Sequence, residues 1–331
     1  LNAERALLQR LAAGPVSGDV LARESGQTRA AVWKRIAQLR EAGVVVDACR
    51  GRGYALRDPV DLLDADAILR ALPADARAAL ACLEVAWTLD STNAELLRRP
   101  MPGMRAEALL AERQTGGRGR RGRTWRSPLA AHVYLSLQRG FEGGLARLGG
   151  LSLVAGIAAA EALQGLGFDA VRLKWPNDLV AVVDGTLHKL GGVLVEGAGE
   201  HAGPVRAVLG IGVNVRMPDA EASGIDQPWT DLAGLGDGRP PSRNTVAAAV
   251  LGAWLPALAH FDRAGLAPLL SRFDTLDALR GREVAVTTAR ERVVGVAAGV
   301  APDGAFQLRA ADGTLSTYHA GDVSVRAVAG A

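Results

Sequence analysis

Apolar residues recur every three or four positions at the start of the chain. Leu7, Leu8 and Leu11 mark one face of a helix over 3–13. Ser17 can cap a second helix over 18–24, which Gly26 ends, and Thr28 can cap a third over 29–42. In that third helix Ala31, Val32, Ile36 and Leu39 share a face, with Arg29, Lys34, Arg35 and Arg40 largely elsewhere. Gly43 stops it. The period then drops towards two: 44–48 and 54–56 predict strands around Arg50-Gly51-Arg52-Gly53. Three helices and a hairpin make a winged helix-turn-helix. Its basic helix, with Thr28, Arg29, Lys34 and Arg35, suits a major groove, and its wing, with Arg50 and Arg52, suits the DNA backbone or minor groove.

Asp58-Pro59 marks a boundary, and 59–73 predicts a linker helix. Beyond it, strands are predicted at 83–88, 108–112, 132–138, 171–175, 180–183, 189–196 and 205–213, and helices at 93–99, 145–166 and 245–264. Asp184-Gly185 is a two-residue hairpin signal. The strands outnumber the helices and do not alternate with them regularly. An α+β fold with a mixed, mainly antiparallel sheet is therefore expected over a doubly wound one. The last stretch holds short strands at 283–288, 293–300, 306–309 and 315–319, with turns at Asp303-Gly304 and Asp312-Gly313. This predicts a small SH3-like barrel. The expected division is 1–58, a linker over 59–74, a large domain over 75–275, and 276–331.

Composition sharpens this picture in three places. Of the 331 residues 49% are hydrophobic and 22% charged, which suits a folded soluble chain. Residues 3–57 carry ten basic side chains against five acidic ones, an excess of +5 in a chain whose net charge is +3. The positive charge is thus concentrated in the predicted winged helix, as DNA binding requires. Lysine occurs only at Lys34, Lys174 and Lys189 among 38 basic residues, so Lys174 and Lys189, beside other suggestive residues, point to places where a compact ammonium is needed, while Lys34 fits chance equally well. Cys49 and Cys82 lack metal-ligand spacing and suit a reducing, cytoplasmic setting. The charged residues Glu4, Arg5 and Arg10 exclude a signal peptide over 1–14, and Glu161 with Gln164 makes 151–168 a buried helix rather than a membrane span.

Candidate chemistry centres on GGRGRRGRTW, residues 116–125. Arg118, Arg120, Arg121 and Arg123 repel one another, and the glycines between them have high chain entropy, so the segment is expected to order around an anion. Trp125 offers a flat stacking surface. No Gly-Lys-Ser/Thr follows, which excludes a Walker loop, and no helix opens directly after it, which excludes a dinucleotide fingerprint. Other stretches converge on polar ligand binding: Asp90-Ser91-Thr92-Asn93 at a helix start, Gln114, Lys174-Trp175-Pro176-Asn177-Asp178, Lys189-Leu190-Gly191-Gly192, and Gly210-Ile211-Gly212-Val213-Asn214. Pro176 stops its strand, leaving Asn177 free to point outward.

Taken together, DSTN, GRGRRGRTW, KWPNDL, KLGGVLVE and GIGVNV occur in the order found in one family, and nearly the whole chain resembles it: the bifunctional biotin–protein ligase and biotin operon repressor. The resemblance implies a class II synthetase-like ligase domain that makes biotinyl-5′-adenylate from biotin and MgATP. It implies transfer of the biotinyl group to a lysine of the biotin carboxyl carrier protein of acetyl-CoA carboxylase. It places Ser91, Thr92, Asn93 and Gln114 around the biotin head, Arg118, Gly119 and Arg120 on carboxyl and phosphate, and Lys189 with Gly192 where the two anions meet. Trp125 would cover the adenylate, Asn177 and Asn214 would serve the adenine, phosphate or magnesium side, and 216–228 would close over it. No residue is expected to hold a protein-bound metal. His132 stands where the family pattern suggests Asn, and is expected to be structural. An adenylate-bound homodimer, paired through the strand edge near 192–196, would bind operator DNA, with no membrane association. The alternatives are a ligand-sensing repressor whose ligase activity has decayed, and a ligase for a related acid such as lipoate.

Overall fold

The computed structural model describes residues 3–49, 51–199, 203–222, 224–321 and 323–327. Its N-terminal helices are α1 (Ala3–Ala12), α2 (Gly18–Ser25) and α3 (Arg29–Glu41), followed by β1 (Val46–Cys49) and β2 (Gly53–Leu56). The capping reads as the sequence implies. Ser17 and Thr28 accept from the backbone N–H groups of Val20 and Ala31, and Gly26 closes α2 in the left-handed region that glycine favours. Leu7, Leu8, Leu11, Leu21, Val32, Ile36 and Leu39 form the core of this module. β1 and β2 form the antiparallel wing.

Residues 59–74 do not behave as a linker. A helix α4 (Ala65–Ala71) and a short α5 (Ala74–Ala79) lead into the large sheet, and Leu63, Ile68, Leu72 and Ala76 are buried in the same core as that sheet. The apolar spacing that predicts a helix here also supplies the face that packs it, so the segment is part of the larger body.

The large sheet has seven strands: β3 (Leu80–Leu89), β4 (Ala106–Gln114), β5 (Val133–Phe141), β6 (Val171–Lys174), β7 (Asp178–Val183), β8 (Thr186–Gly199) and β9 (Val205–Val213), in spatial order β3-β4-β5-β9-β8-β7-β6. Among the described strands of this sheet only β3 and β4 pair in parallel. Between the strands lie α6 (Thr92–Arg98) and α7 (Leu151–Gly165), and after them the short α8 (Asp219–Ala222) and α9 (Leu232–Leu235), the long α10 (Arg243–Ala264) and α11 (Leu270–Leu276). Side-chain alternation decides the two faces of the sheet. Ala207, Leu209, Ile211 and Val213 of β9 enter the main core under α7 and α10, whereas Val208 faces α6. Residues 145–165 and α10 are long and apolar enough to cross a membrane. In this fold α7 and α10 lie in the core, and the Trp254 indole N–H donates to the Ala155 carbonyl at 2.9 Å.

The expected helix over 145–166 is broken. Residues 145–148 form one 3-10 turn, and Gly150 then adopts φ +80° before α7 starts. A Cβ at Gly150 would lie 2.7 Å from the Leu266 side chain, so close packing also requires glycine there. The C-terminal strands are β10 (Glu283–Thr287), β11 (Arg292–Val300), β12 (Phe306–Arg309), β13 (Leu315–Tyr318) and β14 (Ser324–Ala327), an antiparallel sheet in order β13-β12-β11-β10-β14 of the SH3-like kind. The last strand escapes a periodicity reading because only Val325 of its four residues is buried.

The modules are joined by specific contacts. The Leu129 amide donates to the Ala42 carbonyl at 2.8 Å, and Leu129 and Ala130 complete the N-terminal core. Beside them Arg243 and Glu112 form a 2.7 Å ion pair, with side chains 3% and 0% exposed. Glu112 also accepts from the Leu63 amide, and Arg243 donates to the carbonyls of Asp61 and His132. The surplus donors and acceptors of the buried pair are thereby matched. Trp175 packs on Phe306 at 5.3 Å and donates to the Gly304 carbonyl, docking the barrel on the large sheet.

Candidate active site and nucleic-acid interface

A cavity of about 360 Å³ opens on the α6 face of the sheet, with a rim completed by the barrel. It is lined by Ser91, Thr92, Asn93, Gln114, Arg118, Gly119, Arg120, Trp125, Asn177, Lys189 and Gly192, all singled out in the sequence. Its floor is β9. A Cβ at Gly210 would lie 2.2 Å from the Asn93 Oδ1, and one at Gly212 would lie 2.5 Å from the Trp125 ring. The alternate glycines of GIGVNV therefore make room for two site residues.

One end of the cavity is a chain of neutral hydrogen bonds. Ser91 caps α6, accepting from the Ala94 amide. The Thr92 amide and hydroxyl donate to Gln114 Oε1 at 2.8 and 3.1 Å. Ser136 Oγ lies 2.6 Å from both Thr92 Oγ1 and Asn93 Oδ1. This end can hold an uncharged polar group. Ser136 went unnoticed in the sequence, although its place on the polar alternation of β5 is a readable signal.

The arginine segment is a folded hairpin. Gly119 donates to the Arg123 carbonyl and Trp125 to the Gly117 carbonyl, with the left-handed Arg121 (φ 59°) at its turn. Arg118 Nη2 lies 3.2 Å from both oxygens of Glu196, which also accepts from Asn93 Nδ2 at 2.8 Å. Arg120 donates to Asn177 Oδ1 at 3.3 Å and to the carbonyls of Ala320 and Gly321, so it bridges to the barrel. Lys189 Nζ pairs with Asp178 Oδ1 at 2.7 Å and sits 5.4 Å above the Trp125 ring. Lys174 is pulled below the usual lysine range, first by burial and then by nearby Lys189, Arg326 and Arg123, with Asp178 opposing. Arg121, Arg123 and Arg326 add further positive charge to the lining. The arrangement can hold an extended ligand with a neutral polar head and an anionic middle.

Two residues differ from their sequence reading. Asn177 does not point freely outward: its Nδ2 donates to the Val193 carbonyl at 2.7 Å and its own carbonyl accepts from the Val193 amide, which holds it against β8. Asn214 lies outside the cavity lining. It is buried, and its amide donates to the Thr230 carbonyl at 3.0 Å. There it holds the segment in which the Thr230 amide donates to the Lys189 carbonyl and the Lys189 amide to the Pro228 carbonyl. Asp226, Gln227 and Pro228 of the loop before it line the cavity. Asp178 and Glu196 lie within quoted motifs but have no role in the sequence reading, and Arg326 lies in the last strand, outside every motif; only the fold brings them to the cavity and its rim. Among the described residues no group of three or more His, Cys, Asp or Glu could hold a metal ion. His132 is fully buried, accepts from the Val215 amide through Nδ1 at 3.1 Å, and is pushed down to about 3, first by burial and then by Arg243.

On the N-terminal module, Arg29 and Lys34 lie exposed on α3, Arg35 is half-buried, and Arg52 is exposed on the wing. Thr28 is occupied as the cap of α3, and Arg29 makes an open ion pair with Asp19 at 3.2 Å. Arg50 lies outside the described residues. The outward face of α3 also carries Trp33, 62% exposed, which charge counting overlooks.

Comparison with known proteins agrees with this geometry. Residues 89–214 match the biotin/lipoate A/B protein ligase family, 4–55 a helix-turn-helix domain, and 280–326 the biotin protein ligase C-terminal domain. The bifunctional ligase/repressor BirA of Escherichia coli K12 is 40% identical over 310 residues, 94% of this chain and 92% of that protein. The biotin–[acetyl-CoA-carboxylase] ligase of Paracoccus denitrificans is 34% identical over 66% of this chain and 91% of that one. A solved structure, the Aquifex aeolicus biotin protein ligase in complex with biotin and ATP, is 26% identical with a TM-score of 0.62, covering 75% of this chain and 100% of that chain. With such a relative matched along nearly its whole length, the chain belongs to the family of bifunctional biotin–protein ligases and transcriptional repressors.

Proposed function

We propose that this chain activates biotin with MgATP as biotinyl-5′-adenylate and passes the biotinyl group to a lysine of the biotin carboxyl carrier protein of acetyl-CoA carboxylase. The observation that carries the reading is the gathering in one cavity of a neutral polar end, a cluster of cations that includes Arg118, Arg120 and Lys189, and Trp125. In the first step a biotin carboxylate oxygen attacks the α-phosphorus, and pyrophosphate leaves. In the second, the carrier amine attacks the acyl carbon, AMP leaves, and the amine loses a proton. Ser91, Thr92, Asn93 and Gln114 hold the ureido head. Arg118, Gly119 and Arg120 hold carboxyl and phosphate, and Trp125 and Gly192 wall the adenylate. Lys189 stands where two anions must meet, removing their repulsion and stabilising charge that develops at phosphorus. Asn177 orients Arg120, and Asn214 holds the 226–230 segment against Lys189. Magnesium would arrive on the nucleotide phosphates, which suits a cavity with few carboxylates and an ion that binds mainly through phosphate and water.

In the same reading the protein works in the cytoplasm and represses transcription as an adenylate-bound homodimer. Residues 1–58 bind DNA through Thr28, Arg29, Lys34, Arg35, Arg50 and Arg52, 75–275 catalyse, and 276–331 close the rim. Leu194–Gly199 of β8 pair with β9, and among the described residues no strand pairs with them on the other side, which leaves an edge on which a second copy can add. Pairing doubles the DNA contact, so weak half-site binding becomes useful affinity. Incubation with labelled biotin, MgATP and a carrier domain tests the ligase. Labelled carrier is expected; adenylate without transfer, or no adenylate, would overturn it. Sedimentation with and without biotin plus ATP tests the dimer, and an unchanged monomer would refute it.

A further inference from the structure

Helix α3 presents an unusual side chain to solvent. Trp33 is 62% exposed, the most exposed of the large apolar side chains among the described residues, and it lies one turn into the helix. The buried face of α3 is fully served by Val32, Ile36 and Leu39, so the indole is not needed for the core. The small Ala30 and Ala37 share its face, and Arg29 and Lys34 flank it. A helix with small residues beside one large ring can approach another surface closely, while the flanking cations require that surface to be anionic. The excess of +5 in residues 3–57 requires the same.

We propose that Trp33 is a specificity-determining residue of the DNA-binding module, packing its indole on thymine 5-methyl groups in the major groove. This rests on the reading of 1–58 as a DNA-binding unit. Duplex DNA offers one apolar feature in that groove, the thymine methyl, and residues near the start of the second helix of a helix-turn-helix are those that reach base edges. The cations beside Trp33 meet phosphates, which confer affinity without sequence preference. Arg40 cannot join them, since its guanidinium is tied to the Val46 carbonyl at 2.9 and 2.6 Å. On a thymine methyl the indole carries sequence information, which a cation meeting a phosphate does not.

The test uses the full chain with biotin and MgATP on a duplex library whose randomised core of about 40 base pairs spans two half-sites. The wild type is expected to select a site, and Trp33→Ala to lose about 10-fold of its preference for that site over random duplex, the cost of one poor base contact. Replacing the contacted thymines by deoxyuridine, which lacks the methyl, should weaken the wild type similarly and leave Trp33→Ala unaffected. Carrier labelling by the variant should be unchanged. Lys34→Ala should weaken all duplexes alike and keep the selected sequence. A Trp33→Ala chain that selects the same site with undiminished preference, or remains sensitive to deoxyuridine, overturns the inference. So does one that keeps its DNA preference but loses self-association, which makes Trp33 a protein contact. A wild type that selects no sequence overturns the DNA-binding reading and the inference with it.

Discussion

The central cavity and the outer face of α3 are both basic, yet they hold their cations in opposite ways. In the cavity each key cation is already engaged: Lys189 with Asp178, Arg118 with Glu196, Arg120 with Asn177 and the barrel backbone. On the N-terminal module Lys34, Arg35 and Arg52 have no ion pair among the described residues, and Arg29 has only an open one. The difference follows from the ligands. A small reactive anion must be held in one geometry, so each cation that meets it is itself fixed by a partner. A DNA backbone is long and repetitive, and affinity there comes from the number of phosphates neutralised and the counterions released. Substitutions should therefore produce large, chemistry-specific losses in the cavity and small, salt-dependent ones on the helix.

The largest expected effect is at Lys189. Lys189→Ala should slow adenylate formation by at least ~10²-fold, the size expected for one preorganised charge. Lys174→Ala should cost less. Biotin-dependent pyrophosphate exchange reads both, and small, equal losses would erase the distinction drawn for the cavity. Arg120→Gly comes next. It removes the bridge between the phosphate side and the barrel, and the hold on the adenylate should weaken by ~1.5–3 kcal/mol, the range for a charge-assisted hydrogen bond. The reactive mixed anhydride would then escape and label lysines of bystander albumin. Albumin that stays unlabelled while carrier labelling persists would show that Arg120 is not the clamp.

His132 lies where the two regions are joined. Its folded value of about 3 lies below the ordinary histidine value of about 6.5, so the unfolded chain takes up the proton more readily. Its contribution is complete above pH 6.5 and is lost as pH falls towards 3. Wild-type stability should drop by about 2 kcal/mol between pH 8 and pH 5 from this group alone. His132→Asn, which keeps an acceptor for the Val215 amide, should flatten that slope in denaturant titrations. An unchanged slope would assign the acid sensitivity elsewhere. The smallest effect belongs to Lys34→Ala. It should weaken DNA binding a few-fold and reduce the slope of log affinity against log salt by about 1. A loss that ignores salt would mean that the α3 cation acts more like those of the cavity.

Much of this molecule is written locally. The caps Ser17 and Thr28, the alternation in β5 and β9, the two helices of the core and the glycine-spaced arginines all depend on neighbours in sequence, where periodicity and turn chemistry operate. That is why the three-part architecture and most of the cavity lining are legible. Local signals mislead where a local pattern serves a distant partner. The apolar face in 59–74 reads as a linker helix, yet Leu63, Ile68 and Leu72 are spent on the core of the large sheet. The helix expected over 145–166 loses its first turn to Gly150 packing against Leu266.

The sequence by itself thus determined the elements, the modules, the position of the positive charge and the residue types able to meet biotin, phosphate and DNA. Only the tertiary structure decided which charges meet. Glu196 lies 78 positions from Arg118 and Arg120 lies 201 from Gly321, yet each pair is in hydrogen-bond contact. No periodicity encodes such separations, since they arise when β8, the arginine hairpin and the barrel pack around one cavity. The same packing buries Asn214 behind the site instead of in it, and draws Asn177 back onto Val193. It leaves Trp33 outside every core, because Val32, Ile36 and Leu39 already fill the inner face of its helix.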